Sequence, residues 1–136
     1  MSKSPKNGRP LGRVAREKRW PALPLPEWES TYRTLHMWTQ IVGKIRLELS
    51  PLENHFWNVA LYLDPRGLTT SAIPYRGEAF EMRFDFIDHR LVVSTSFGAA
   101  VAIALAAKSV ATFYRELMSE LAALGIQVRI NTKPQE

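Results

Sequence analysis

The chain has 136 residues, 46% of them hydrophobic and 23% charged, and no cysteine. That length suits one domain with a core large enough to fold, the composition argues against wholesale disorder, and the missing thiols exclude disulfides and thiolate metal sites. The net charge of +5 is uneven: residues 1–19 hold seven cations against Glu17 alone, or +6, so the other 117 residues stand at −1.

Residues 1–19, "MSKSPKNGRPLGRVAREKR", have almost nothing to bury and are expected to be a disordered basic tail. Their charge makes nucleic-acid contact conceivable only through this tail, where each neutralised phosphate would release counterions. No apolar core of a signal peptide precedes Trp20, and no run approaches the roughly 18 apolar residues of a membrane span. The chain is therefore expected to be cytoplasmic, with no membrane partner.

Residues 20–133 read as a single α+β domain, leaving 134–136 as a C-terminal end. It opens with "WPALPLPEW", residues 20–28, where Pro21, Pro24 and Pro26 predict an extended strap anchored by Trp20, Leu23, Leu25 and Trp28. Ser30 and Thr31 stand where a helix N-cap would be. From there to Leu49 a helical period places Leu35, Trp38, Ile41, Val42, Ile45 and Leu49 on one side. Arg33, His36, Gln40, Gly43 and Lys44 fall on the other. Gly43 costs the helix about 1 kcal/mol relative to alanine, and "KIRLELS" after it also alternates, so a short strand there is the alternative to a continuous helix.

From His55 the period changes to two. "HFWNVALYL" predicts a strand ending in the turn "DPRG", with proline second and glycine fourth. "LTTSAI" predicts the next strand, closed by "PYRG". "AFEMRFDF" sets Phe80, Met82, Phe84 and Phe86 on one face against Glu81, Arg83 and Asp85 on a wet one. "LVVSTS" and "AVAIAL" follow, separated by Gly98. Ser109 is the expected N-cap of a second helix with Val110, Phe113, Leu117, Leu121 and Leu124 on one face and Gly125 just past its end. "IQVRI" is expected as a last strand. The order helix, four or five strands, helix, strand predicts a two-layer α+β domain, two helices on one face of a mostly antiparallel sheet of about five strands.

Phosphate-binding glycine loops, a nucleophile elbow and a zinc-protease helix are all missing. His36, Gln40 and Lys44 recur every four residues and form a polar stripe on the first helix. Such a stripe is either a solvated face or the border of a pocket. Asn54, His55 and Trp57 add a turn residue, an imidazole and an aromatic surface at the next element, where the imidazole could equally cap a strand end. These six residues are the candidate ligand-binding set. His36, His55 and His89 do not have the spacing of a local metal motif, so neither metal nor cofactor is expected. Asp85 and Asp88 are neighbours only in sequence, since Asp85 is expected to face water and Asp88 to lie in a turn.

The runs "WPALPLPEWESTYRTLHMWTQIVGKIRL", "NHFWNVALYL", "RGLTTSAIPY", "FDFIDHRLVV" and "SVATFYRELMSELAALGI" together resemble an uncharacterised bacterial family, a domain of unknown function. The resemblance covers nearly everything after residue 19 and implies no reaction, ligand or catalytic residue. Members of that family continue past the equivalent of "KPQE" into a second, similar segment. The resemblance thus implies that this chain is one half of a duplicated protein and would restore the pairing surface as a homodimer. The leading expectation is a binding or interaction module with a small-molecule or protein partner near His36, Lys44, Asn54, His55 and Trp57. The alternative is a small metal-independent enzyme using His36 or His55 as acid or base.

Overall fold

The computed structural model describes residues 21–134, so the basic tail, Trp20 and the last two residues lie outside the described part. The chain divides into two compact units, Met1–Ser30 and Thr31–Glu136. Of the first, residues 21–24 have no regular structure and helix α1, Leu25–Leu49, begins at once. The extended strap is therefore shorter than expected, and Ser30 and Thr31 are inside the helix rather than at its cap. The physical reason is Pro26: in a first turn an amide has no intrahelical acceptor, so proline costs nothing there. Glu27 N donates to the carbonyl oxygen of Pro24 at 3.0 Å, starting the helix.

Within the second unit α1 runs unbroken through Gly43. Its expected apolar side is buried at Trp38, Ile41, Val42 and Ile45, with Leu35 and Leu49 packed at its margins. Strands β1 (Tyr62–Asp64), β2 (Gly67–Thr69), β3 (Ile73–Tyr75), β4 (Glu78–Asp85), β5 (Arg90–Thr95) and β6 (Ala100–Ala104) form one antiparallel sheet. Its path is β1-β2-β4-β5-β6, with β3 also on β4. Helix α2, Val110–Ala123, completes the domain. The buried core joins one face of α1 and of α2 to Ile73, Phe80, Met82, Phe84, Leu91, Val93 and Ile103 of the sheet. The ring of Trp38 stacks on Phe113 with centroids 4.8 Å apart, tying the helices together. The fold is α+β, as the element pattern implies.

Turn chemistry sets the hairpins. Asp64 Oδ1 accepts from the amides of Arg66 and Gly67, both at 2.8 Å, closing the expected "DPRG" turn. Arg76 and Gly77, at φ 47° and 79°, make the two-residue left-handed turn whose twist suits a hairpin. Ser109 caps α2 through its hydroxyl, which accepts from Thr112 N at 3.1 Å. At the other end Gly125 takes φ 80°, and Gly125 N and Ile126 N donate to the carbonyls of Ala122 and Leu121.

Three strand expectations need correction. "HFWNVALYL" is not one strand: Asn54–Val59 is a short 3-10 segment interrupted by His55 and Phe56, both at φ 56°, and pairing begins only at Tyr62. Left-handed residues break the pleat that alternation alone suggested. "LTTSAI" is split into β2 and β3 because residues 70–72 face only residues 81 and 82 across the ladder, a bulge of one extra residue. Thr70 repairs it: its amide donates to the Met82 carbonyl at 3.0 Å, and its hydroxyl oxygen accepts from Met82 N at 3.1 Å. "IQVRI" is not a strand either, although Ile126, Val128 and Ile130 still pack on the core. Its alternation reports one buried side, not a paired ladder.

Candidate functional site

On α1 the polar stripe stands as the periodicity places it, and its members differ in what they touch. His36 is exposed, its ring stacked near Tyr32 with centroids 6.2 Å apart and its Nε2 3.0 Å from Gln40 Nε2. Lys44 is half-buried, and its ammonium donates to the main-chain carbonyl oxygens of Asn131, at 2.8 Å, and of Lys133. That contact holds the segment after Ile130 against α1.

A cavity of about 410 Å³ opens where this segment crosses the two helices. Met37, Gln40, Ile41 and Lys44 of α1, Val110, Ala111 and Tyr114 of α2, and Ile130, Asn131, Thr132 and Pro134 line it. It falls in the range of roughly 300–1,000 Å³ usual for small-molecule sites. A second, more open groove of about 330 Å³ lies across the stripe, between Thr39, Gln40, Gly43, Lys44 and Leu47 and the chain at Val59 and Leu61. Gln40 and Lys44 form the ridge shared by both.

The remaining candidates are elsewhere. Asn54 and His55 are exposed and Trp57 is 66% exposed, all on the interrupted 3-10 segment. Neither cavity reaches them. Holding His55 and Phe56 left-handed costs of order 1–3 kcal/mol each. Asn58 braces the segment from inside: only 2% exposed, its Oδ1 accepts from Glu53 N at 3.4 Å, while its Nδ2 is buried without an acceptor.

Arg46 lies outside the predicted set of site residues. One turn after Val42 and three residues before Leu49, it lies at the margin of the apolar side of α1 and is only 8% exposed. Its guanidinium donates to the Ala60 carbonyl and lies 3.5 Å from Ser71 Oγ, and Tyr62 covers it with its ring centroid 5.3 Å from Cζ. Nε is buried with no partner, and among the described residues no carboxylate pairs with this cation. The sequence signal is its helical phase, which puts it beside Val42 and Leu49 and away from Gln40 and Lys44; that it lacks a carboxylate partner has no local signature.

The carboxylates form a different kind of cluster. Asp85 is 3% exposed, so it does not face water as its strand position suggested. Arg66 reaches across from the β1–β2 turn, with Nε 2.7 Å from Asp85 Oδ2 and Nη2 2.8 Å from Asp88 Oδ2. The amides of Ile87 and Asp88 donate to Asp85 Oδ1, both at 3.0 Å. The Arg66 hydrogen bond, with these amides, holds the Asp85 carboxyl down at about 2. Asp64 is also lowered, first by the Arg66 amide, and Arg83 Nε lies 2.6 Å from its Oδ2. Carboxylates so firmly ionised are poor proton donors near neutral pH.

Among the described residues no three His, Cys, Asp or Glu side chains gather as a metal site, and no helix is long and apolar enough to cross a membrane. No curated protein and no solved structure matches the chain. One family model does, over residues 20–136: the chain belongs to the family of unknown function DUF5996.

Proposed function

We propose that the domain is a binding module whose small-ligand site is the cavity between α1, α2 and residues 130–134. The observation that carries this reading is the position of Gln40 and Lys44 on the wall of an enclosure to which Met37, Ile41, Val110, Ala111, Ile130 and Pro134 give a mainly apolar lining. Apolar lining supplies affinity by excluding water, and a few polar groups orient the guest. An enzyme is the weaker reading, because neither a histidine nor a carboxylate lines the cavity and His36 and His55 are both exposed. The test is binding of a neutral apolar dye, Nile red, followed by fluorescence. Ala111→Trp should fill the cavity and remove most of the binding. A wild-type protein that takes up no dye, or a tryptophan variant that takes up as much, would overturn the reading.

A second reading, a homodimer, is favoured by the sheet edge. Register places Leu63, Leu68, Phe84, Leu91 and Ile103 in one row across β1, β2, β4, β5 and β6. Phe84 and Leu91 are fully buried and Ile103 is 4% exposed, yet Leu63 is 85% exposed. The core-facing row thus runs out from under its cover at β1, with exposed Phe56, Trp57 and Tyr62 nearby in the chain. A symmetric partner would cover such an edge. Light scattering at tens of micromolar should find a dimer that Leu63→Glu converts to monomer; a wild-type monomer sinks this reading.

A further inference from the structure

The cavity walls are mainly apolar, but the rim carries a cation that no carboxylate among the described residues pairs with. The ammonium of Lys44 has three hydrogens to donate, and the carbonyl oxygens of Asn131 and Lys133 take two of them. Both acceptors are neutral. Among the described residues no carboxylate pairs with Lys44, and neither Asp nor Glu lines the cavity. Lys108 provides the contrast within the same chain, since its Nζ lies 2.6 Å from Glu116 Oε2. A partly buried cation without a counter-charge lowers its energy by taking an anion.

We infer that the cavity takes a small monocarboxylate with an apolar body, its carboxylate on the third hydrogen of Lys44 and its body among Met37, Ile41, Val110 and Tyr114. This rests on the binding reading above and adds the chemistry of the ligand. A single negative charge matches the single cation. A phosphate, nearly doubly charged at neutral pH, would bring an excess that no second side chain of the lining offsets. The positive end of the α2 dipole, at Val110 and Ala111, borders the same space and adds to the field of Lys44. Gln40 stands beside the carboxylate position on the rim.

The experiment titrates the full chain with two ligands of one shape, 4-phenylbutyrate and its neutral amide, by calorimetry at pH 7.5. Wild type should hold the carboxylate about tenfold more tightly than the amide, the usual worth of one charge-assisted hydrogen bond. Lys44→Met should erase that difference while leaving amide affinity unchanged. If Lys44→Met loses both ligands because residues 131–133 detach, Lys44→Arg decides: a retained preference for the carboxylate supports the inference, and equal binding overturns it. Equal affinity of wild type for the two ligands overturns the monocarboxylate while the cavity reading survives. Binding of neither ligand overturns both.

Discussion

Two groups of cations in this protein obey different electrostatic rules. Where the β1–β2 and β4–β5 turns meet, Arg66, Arg83 and Arg90 share Asp64, Glu81, Asp85 and Asp88, with N–O separations from 2.6 to 3.6 Å. On α1, Lys44 and Arg46 are drawn in from solvent with carbonyl and hydroxyl oxygens as their acceptors. Pairing opposite charges makes the first region self-sufficient and fixes two turns to each other. Neutral acceptors position the second pair without cancelling its charge. The paired region ties the turns of the sheet together, and of the unpaired cations Lys44 borders the cavity proposed to take a ligand.

The sharpest way to break the paired region is steric. A Cβ at Gly67, which adopts φ 156°, would overlap the Phe84 carbonyl oxygen. Gly67→Ala should therefore cost about 3 kcal/mol or more, at the upper end of overpacking penalties, measured by urea denaturation; a loss below about 1 kcal/mol would mean that the turn shifts freely.

Acid should act next, through the lowered Asp85 and Asp64 of this region. The Asp85 carboxyl is held at about 2 in the fold against 3.8 when free. A depressed carboxylate contributes stability that is full above its unfolded value and lost as pH falls toward its folded one. Wild type should lose stability between about pH 4 and pH 2, and Asp85→Asn should be less stable at neutral pH and flatter across that window. An unchanged acid branch would assign it to other carboxylates, with Asp64 the first candidate because it too is lowered.

For the uncompensated pair a smaller effect is expected. Arg46→Met forfeits its hydrogen bonds to Ala60 and Ser71 but relieves the burial of a lone guanidinium, so the net change should be about 1 kcal/mol. A loss above about 3 kcal/mol would place Arg46 with the paired cations as a structural group. Least of all, His36→Ala on the exposed side of α1 should move stability by no more than about 0.5 kcal/mol, and a larger change would mean that the His36–Gln40 contact shapes the cavity wall.

Legibility followed the range of the interaction that decides each feature. Trp38, Val42 and Ile45 announced the core side of α1 because a 3.6-residue period needs no knowledge of the partner surface. Phe80, Met82 and Phe84 did the same for β4, and Ser109 and Gly125 marked the ends of α2 through bonds spanning a few residues. Of the candidate site, Gln40 and Lys44 were recognisable as members of one stripe, but the enclosure beside them was not. It depends on a carbonyl at residue 131 meeting an ammonium at residue 44, a contact with no local signature.

The sequence by itself thus determined the core faces of the two helices and of β4, the ends of α2, the "DPRG" turn and the α+β class, since each follows from periodicity or from backbone preferences inside a short window. Only the tertiary structure decided that residues 70–72 interrupt a strand, that Asp85 is buried against Arg66 and that Arg46 is buried without a counter-charge. A polar residue carries the same letter whether solvent, a carboxylate or a neutral carbonyl faces it. That difference belongs to neighbours brought from far along the chain, and here it separates the cations paired with carboxylates from Lys44 and Arg46, which neutral oxygens hold.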